Sequence, residues 1–256
     1  MGAVGYARRD DTTVDGNSAY VGRQNFDWRS LEHIDETGVK IDDAHAVGQL
    51  SAIFAQDWAA QATLANGGRA APTNMPEVTV EESGPVTLVA SPNAFNPPGV
   101  SDSQAELVKL LGEAKHDVCV TLMDYAPLDR QHLYYGVIDG ALRAAAARGG
   151  RGQAADRRLG PDPGENAMAR QPRGDDQCRD PRRHHSDCAR GPIPLARVVH
   201  TKSMTIDGRI GWVGTSNWEG AYLDMSRNIE LVFREAGMAQ QIGDMQTALW
   251  NSAYAK

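Results

Sequence analysis

Apolar and β-branched residues come in short bursts along this chain, and turn residues separate the bursts. Residues 197–206 (RVVHTKSMTI) are dense in β-branched and apolar side chains and read as a buried strand. Asp207-Gly208 is a turn signal, and residues 210–213 (IGWV) return as a second strand, so a hairpin is predicted here. Further upstream, residues 77–80 and 86–90 read as strands and 93–100 as a Pro-rich loop. Ser101-Asp102 caps a helix running to about Lys115, with Leu107, Leu110 and Leu111 on its apolar face. Residues 116–125 (HDVCVTLMDY) form a buried strand and 131–148 another helix. Residues 39–64 open as a short strand and continue as a helix in which Val47, Leu50, Ile53, Phe54 and Trp58 share a core face. Residues 65–76 are a linker by their Gly, Pro and Asn content. The βαβα order predicts an α/β fold, an α/β/α sandwich around a mostly parallel sheet.

Residues 149–191 break this plan. They contain no Val, Ile, Phe, Tyr or Trp and are dense in Arg, Asp, Gly and Pro, a disordered composition. Their abrupt limits suggest translation out of the ancestral frame, and residues 1–13 invite the same reading. The coding DNA tests it, the alternative being a genuine basic loop for an anionic substrate.

Composition narrows the function classes. The 256 residues suffice for one large or two small domains, with 41% hydrophobic and 23% charged residues. A net charge of −7 argues against a whole-surface nucleic-acid footprint but allows a local basic groove. No run approaches a membrane span, and no apolar signal core opens the chain, so a soluble protein is expected; its compartment stays open. Three Cys are too few and too irregular for a disulfide framework. Cys119 falls in an apolar strand. Cys178, His184, His185 and Cys188 fit no zinc spacing, and no metal is assigned.

One stretch carries chemistry. In HTKSMTIDGRIGWVGTSN, His200, Lys202, Asp207, Gly214 and Asn217 bring an imidazole, an ammonium and an amide beside a tight Gly turn. Side chains two apart on a strand share a face, so His200 and Lys202 point the same way. These groups suit a phosphodiester: a nucleophile or acid, a cation for the phosphate and a neutral donor. A second, broken copy lies near the start of the chain, in VDGNSAYVGRQNFDWRSLEHIDETGVKI. Asp15 matches Asp207, Gly22 matches Gly214 and Asn25 matches Asn217, while Glu36 follows Asn25 by eleven residues as Glu230 follows Asn217 by thirteen. The positions of His200 and Lys202 are held by Arg8 and Asp10, and Gly22-Arg23 stands where Gly-Thr stands in the intact copy. Such a repeat marks a two-lobed enzyme, each lobe carrying one motif.

The intact stretch resembles the signature of the phospholipase D superfamily, His-x-Lys-x4-Asp-x6-Gly-Ser-x-Asn, with Thr215 for the usual Ser. FDWRSLEHIDETG and GTSNWEGAY look like the branch that includes lysosomal 5′-exonucleases and poxvirus envelope phospholipase-like proteins. The resemblance covers nearly the whole chain outside residues 1–13 and 149–191. It implies a remnant of the first lobe over residues 1–70 and the second lobe over 75–256, the chain beginning inside the first motif and lacking most of the first lobe's sheet. It also implies a cofactor-free reaction in which one His attacks phosphorus, forming a phosphohistidine, and the other protonates the leaving alcohol. Carried onto this chain, His200 is the general acid and Lys202 and Asn217 bind phosphate, with Thr215 and Asn25 in support. Glu230 is the carboxylate that hydrogen-bonds the imidazole, and Asp207, counted with the motif, is more plausibly structural. With Arg8 and Asp10 in the broken copy, one chain cannot supply both histidines. The expected protein is therefore a phosphodiesterase of phospholipase D type acting on a phospholipid or a nucleic-acid end, this chain being either inactive or active only as a homodimer. The alternatives are a 5′-exonuclease-like nuclease and a catalytically dead phosphate-binding remnant.

Overall fold

The computed structural model describes residues 12–25, 27–73, 84–123, 125–128, 133–148 and 199–251. The expected strand at 77–80, the segment 149–191 with its Cys and His residues, and positions 8 and 10 lie outside the described residues.

The first third of the chain runs β1 (Thr12–Val14), β2 (Ser18–Gly22), α1 (Trp28–His33), β3 (Gly38–Ile41) and α2 (Ala44–Ala65). These strands form an antiparallel sheet in the order β1-β2-β3. Then come β4 (Val86–Ser91), β5 (Ser101–Asp102), α3 (Ser103–Glu113), β6 (Val118–Thr121), β7 (Tyr125–Ala126) and α4 (Gly136–Ala147). After the undescribed segment follow β8 (Ser203–Ile206), β9 (Ile210–Gly214), β10 (Trp218–Glu219), α5 (Gly220–Met225), β11 (Asn228–Phe233) and α6 (Ala236–Asn251). The helix caps follow local chemistry. The Asp102 carboxylate accepts from the backbone N–H groups of Gln104 and Ala105, and the Asp27 carboxylate does the same for Arg29 and Ser30.

A six-stranded sheet, β5-β4-β11-β9-β8-β6, forms the centre. The α/β sandwich stands as expected, but the mostly parallel sheet does not. Among the described strands of this sheet only β4 and β5 pair parallel, while β4–β11, β11–β9, β9–β8 and β8–β6 are antiparallel. The Asp207-Gly208 turn explains part of the difference. Both residues adopt left-handed backbone (φ 52° and 60°), and the three-residue loop they open, from Asp207 to Arg209, is short enough to join only antiparallel neighbours. Of the expected strand at 197–206, residues 197–198 lie outside the described residues, Val199 makes an isolated bridge to Asp35, and the regular strand begins at Ser203.

The sheet buries both faces. Leu88, Ala90, Val213, Leu231 and Phe233 pack with α2 and with Ala19, Val21 and Ile41 of the small sheet. Met204, Ile206, Trp212 and Val232 pack with Leu107, Leu110 and Leu111 of α3 and Ile138 of α4. Helix α2 buries Val47, Leu50 and Ile53 but turns Phe54 and Trp58 outward, 53% and 64% exposed, where their rings stack 5.8 Å apart. Helical spacing groups all five as core, whereas Phe54 and Trp58 lie beyond the arc that the sheet covers.

The internal repeat is structural as well as sequential. One offset, the 192 residues between Arg23 and Thr215, carries β2 onto β9, α1 onto α5 and the Asp15-Gly16 turn onto Asp207-Gly208. Both turns are left-handed, at φ 50° and 68° in the first copy. Strand β3 lies beside β2 as β11 lies beside β9, with Gly38 opposite Gly22 and Glu230 opposite Gly214. The shared ladder therefore matches Gly38, not Glu36, with Glu230, and Glu36 with Asn228.

Candidate active site

The residues before β8 are held by the first repeat. His200 and Thr201 donate their backbone N–H groups to the Asp35 carbonyl (2.8 and 3.1 Å), and the Thr201 hydroxyl donates to the Asp35 carboxylate (3.0 Å). The Thr37 and Thr201 hydroxyls share a further hydrogen bond of 3.1 Å. This clamp sets the His200 imidazole beside Glu36, with Nδ1 3.1 Å from Oε1. Ser30, on α1, donates its hydroxyl to the same oxygen (3.0 Å). The Glu36 side chain is 2% exposed and that of His200 12%, so the pair sits in a recess that still reaches solvent. With Nδ1 engaged by a carboxylate, Nε2 is the ring nitrogen outside that contact.

Lys202 is buried at 1% exposure, and its Nζ donates to the His200 carbonyl at 2.6 Å. A cation is thus fixed within two residues of the imidazole. Asn217 is buried in the loop after β9. Asn25, its counterpart, is half-buried, with its carbonyl accepting from the Asp27 N–H at 2.7 Å.

Three expected site residues have other partners. Glu230 does not pair with His200. It is fully buried and accepts from Trp212 Nε1 (3.1 Å) and from the Ser216 hydroxyl. Burial pushes its carboxyl from 4.5 up to about 7, against the lowering by those two bonds. Gly214 is required here, since a Cβ would stand 2.6 Å from the Trp212 ring and 2.9 Å from Glu230 Cγ. Thr215 turns its hydroxyl inward, bonded with Asn228 Oδ1 (3.2 Å) and accepting from the Ile229 N–H (3.1 Å), so that oxygen serves β11 rather than a phosphate. Asp207 lies past the far end of β8, at the opposite end of that strand from Lys202. The partner that sequence reasoning misassigned is Glu36, present in the repeat but counted as Glu230's twin. Neither spacing nor hydropathy signals that it crosses to His200.

Asp207 anchors the fold. Its carboxylate accepts three backbone N–H groups, from Lys115 (2.9 Å), His116 (2.8 Å) and Asp117 (2.8 Å). Partial burial raises its carboxyl, but the three bonds outweigh that and hold it below its usual range. Asp207→Ala is expected to cost about 2 kcal/mol at neutral pH, because the donors lose their acceptor. Because the folded-state value is depressed, the wild-type advantage is present above about pH 4 and fades as pH falls through the folded value. Urea denaturation of both proteins from pH 3 to 7 checks this.

Among the described residues, no group of three His, Cys, Asp or Glu could hold a metal ion, and no helix is long and apolar enough to cross a membrane.

No protein-family model matches the chain. Human 5′-3′ exonuclease PLD4 is 29% identical to it over 277 residues, covering 94% of this chain and 54% of the relative. Xenopus laevis 5′-3′ exonuclease PLD3 is 28% identical over 279 residues, covering 94% and 55%. A probable phospholipase D of Caenorhabditis elegans is 27% identical over 271 residues, covering 93% and 48%. The chain thus spans about half the length of the curated relatives it matches. Among solved structures, the phosphatidylserine synthase of Haemophilus influenzae Rd KW20 shares the fold at a TM-score of 0.51 and 11% identity, covering 93% of this chain and 60% of that one. The motif from His200 to Asn217, its partial repeat, the mixed α/β architecture and these relatives together support one assignment, to the phospholipase D superfamily.

Proposed function

We propose that this chain builds one half of a phosphodiester-cleaving site, with His200 and Glu36 as its proton-transfer pair. The observation that carries the reading is the 3.1 Å contact between His200 Nδ1 and Glu36 Oε1, two residues from different repeats. A carboxylate on Nδ1 fixes the tautomer and stabilises the imidazolium, as a proton donor to a leaving oxygen requires. Lys202 and Asn217, with Asn25 from the other loop, bind the non-bridging oxygens. A second copy of the chain supplies the second histidine. Nε2 of one His200 attacks phosphorus as the ester P–O bond breaks, and the departing oxygen takes the proton from Nε2 of the other His200. Water then attacks phosphorus, giving a proton back to that second nitrogen, and the P–N bond breaks. An alcohol in place of water gives transfer instead of hydrolysis.

Two of the relatives are named 5′-3′ exonucleases, which favours a nucleic-acid end over a phospholipid as the diester. The test is hydrolysis of bis(p-nitrophenyl) phosphate in EDTA by the purified chain, with its mass followed by sedimentation as concentration is varied. Turnover that tracks the dimer fraction is expected. A folded chain with no turnover at any concentration overturns the reading and leaves phosphate binding as the function. Parallel assays on a single-stranded oligonucleotide and on phosphatidylcholine vesicles separate the two substrate classes.

A further inference from the structure

Arg23 occupies, in the first repeat, the place of Thr215 in the second. The two side chains behave differently. Thr215 spends its hydroxyl on β11, whereas Arg23 reaches across to the other repeat. Its Nη1 donates to the Thr215 carbonyl, and its Nη2 lies 3.5 Å from the Tyr222 hydroxyl. The guanidinium also stands 5.6 Å from the centroid of the Tyr222 ring. A half-buried cation therefore sits between the loop that ends in Asn25 and the loop that ends in Asn217. A guanidinium carries five N–H donors in a planar fork, and the contacts among the described residues engage two of them. The first repeat has meanwhile lost its own lysine, since Asp10 stands where Lys202 stands in the second.

We propose that Arg23 is a substrate-binding residue, a second phosphate cation that serves the phosphoryl oxygens from the first-repeat side of the site. The Thr215 carbonyl and the Tyr222 ring hold the guanidinium in place, and its remaining donors take the oxyanion. The first repeat thereby contributes a phosphate charge from position 23 instead of position 10, and Lys202 and Arg23 flank the anion from opposite repeats. This inference rests on the phosphodiester reading, but its test does not need turnover.

Binding of inorganic phosphate and of orthovanadate is measured by calorimetric titration for wild type, Arg23→Lys, Arg23→Gln and Arg23→Met, with near-ultraviolet circular dichroism to verify the fold. A charge-assisted bond to an anion is worth roughly 10-fold or more in affinity. Arg23→Lys is expected to stay within a few-fold of wild type. Arg23→Gln, which retains an N–H donor for the Thr215 carbonyl but no charge, is expected to lose about 10-fold, as is Arg23→Met. Raising the salt concentration should weaken wild type more than Arg23→Gln. Arg23→Gln binding as tightly as wild type overturns the proposal, as does a folded wild type that binds neither anion. Absent turnover with intact, Arg23-dependent phosphate binding would overturn the catalytic reading and leave this one standing.

Discussion

His200→Ala is expected to lower the turnover of bis(p-nitrophenyl) phosphate by about 1000-fold, within the range that a positioned acid–base group contributes. The imidazole cannot be replaced by a neighbour, because the side chains around it serve other purposes. Lys202 donates to the His200 carbonyl, and Thr201 is bonded to Asp35 and Thr37. Glu36→Gln is expected to lower kcat by about 100-fold while KM changes little. The amide oxygen can still accept from Nδ1 at the same distance, but it carries no charge to stabilise the imidazolium that forms in the reaction. The comparison with Glu230→Gln decides which carboxylate acts. Glu230 has Trp212 and Ser216 as its partners, so its amide variant should lose less turnover than Glu36→Gln. The opposite order would return to Glu230 the role that the spacing after Asn217 suggested.

The second large effect is on stability. Glu230 is fully buried on the central strand β11, and its carboxyl is pushed up to about 7 by that burial. A folded-state value raised above the unfolded one favours the neutral acid in the native protein. The contribution is therefore fully present below pH 4.5 and is lost as pH rises through about 7. A difference of that size corresponds to about 3 kcal/mol, a large share of the stability of a domain this size. Glu230→Gln cannot ionise and still accepts from Trp212. Urea midpoints of wild type should fall relative to Glu230→Gln as pH is taken from 4.5 to 8. Parallel curves for the two proteins would show that the carboxyl does not titrate in this window.

Local signals were legible in the chain because they act over a few residues. The Asp207-Gly208 turn, the Asp102 cap, the apolar faces of α3 and α2 at Leu107, Leu110, Leu111, Val47, Leu50 and Ile53, and the order of the motif are all short-range. The repeat was legible too, since its second half keeps its spacing across 192 residues. What failed depended on contacts between distant segments. Phe54 and Trp58 satisfy the helical period, yet how far the sheet extends over α2 is not a property of the helix. The antiparallel order of the sheet follows from which strands become neighbours, which the βαβα pattern does not specify.

By itself, then, the sequence determined the hairpin, its turn and the set of groups proposed to bind and cleave a phosphodiester. These follow from backbone preferences and side-chain chemistry carried by adjacent residues. Only the tertiary structure decided which carboxylate meets His200, that Thr215 faces β11, and that Arg23 crosses to the other loop. The contacts of His200 and Arg23 are made where the two repeats pack, between residues 164 and 192 positions apart. At that separation no local preference acts, and burial of Val21, Ile41, Leu88 and Leu231 in one core brings the partners together.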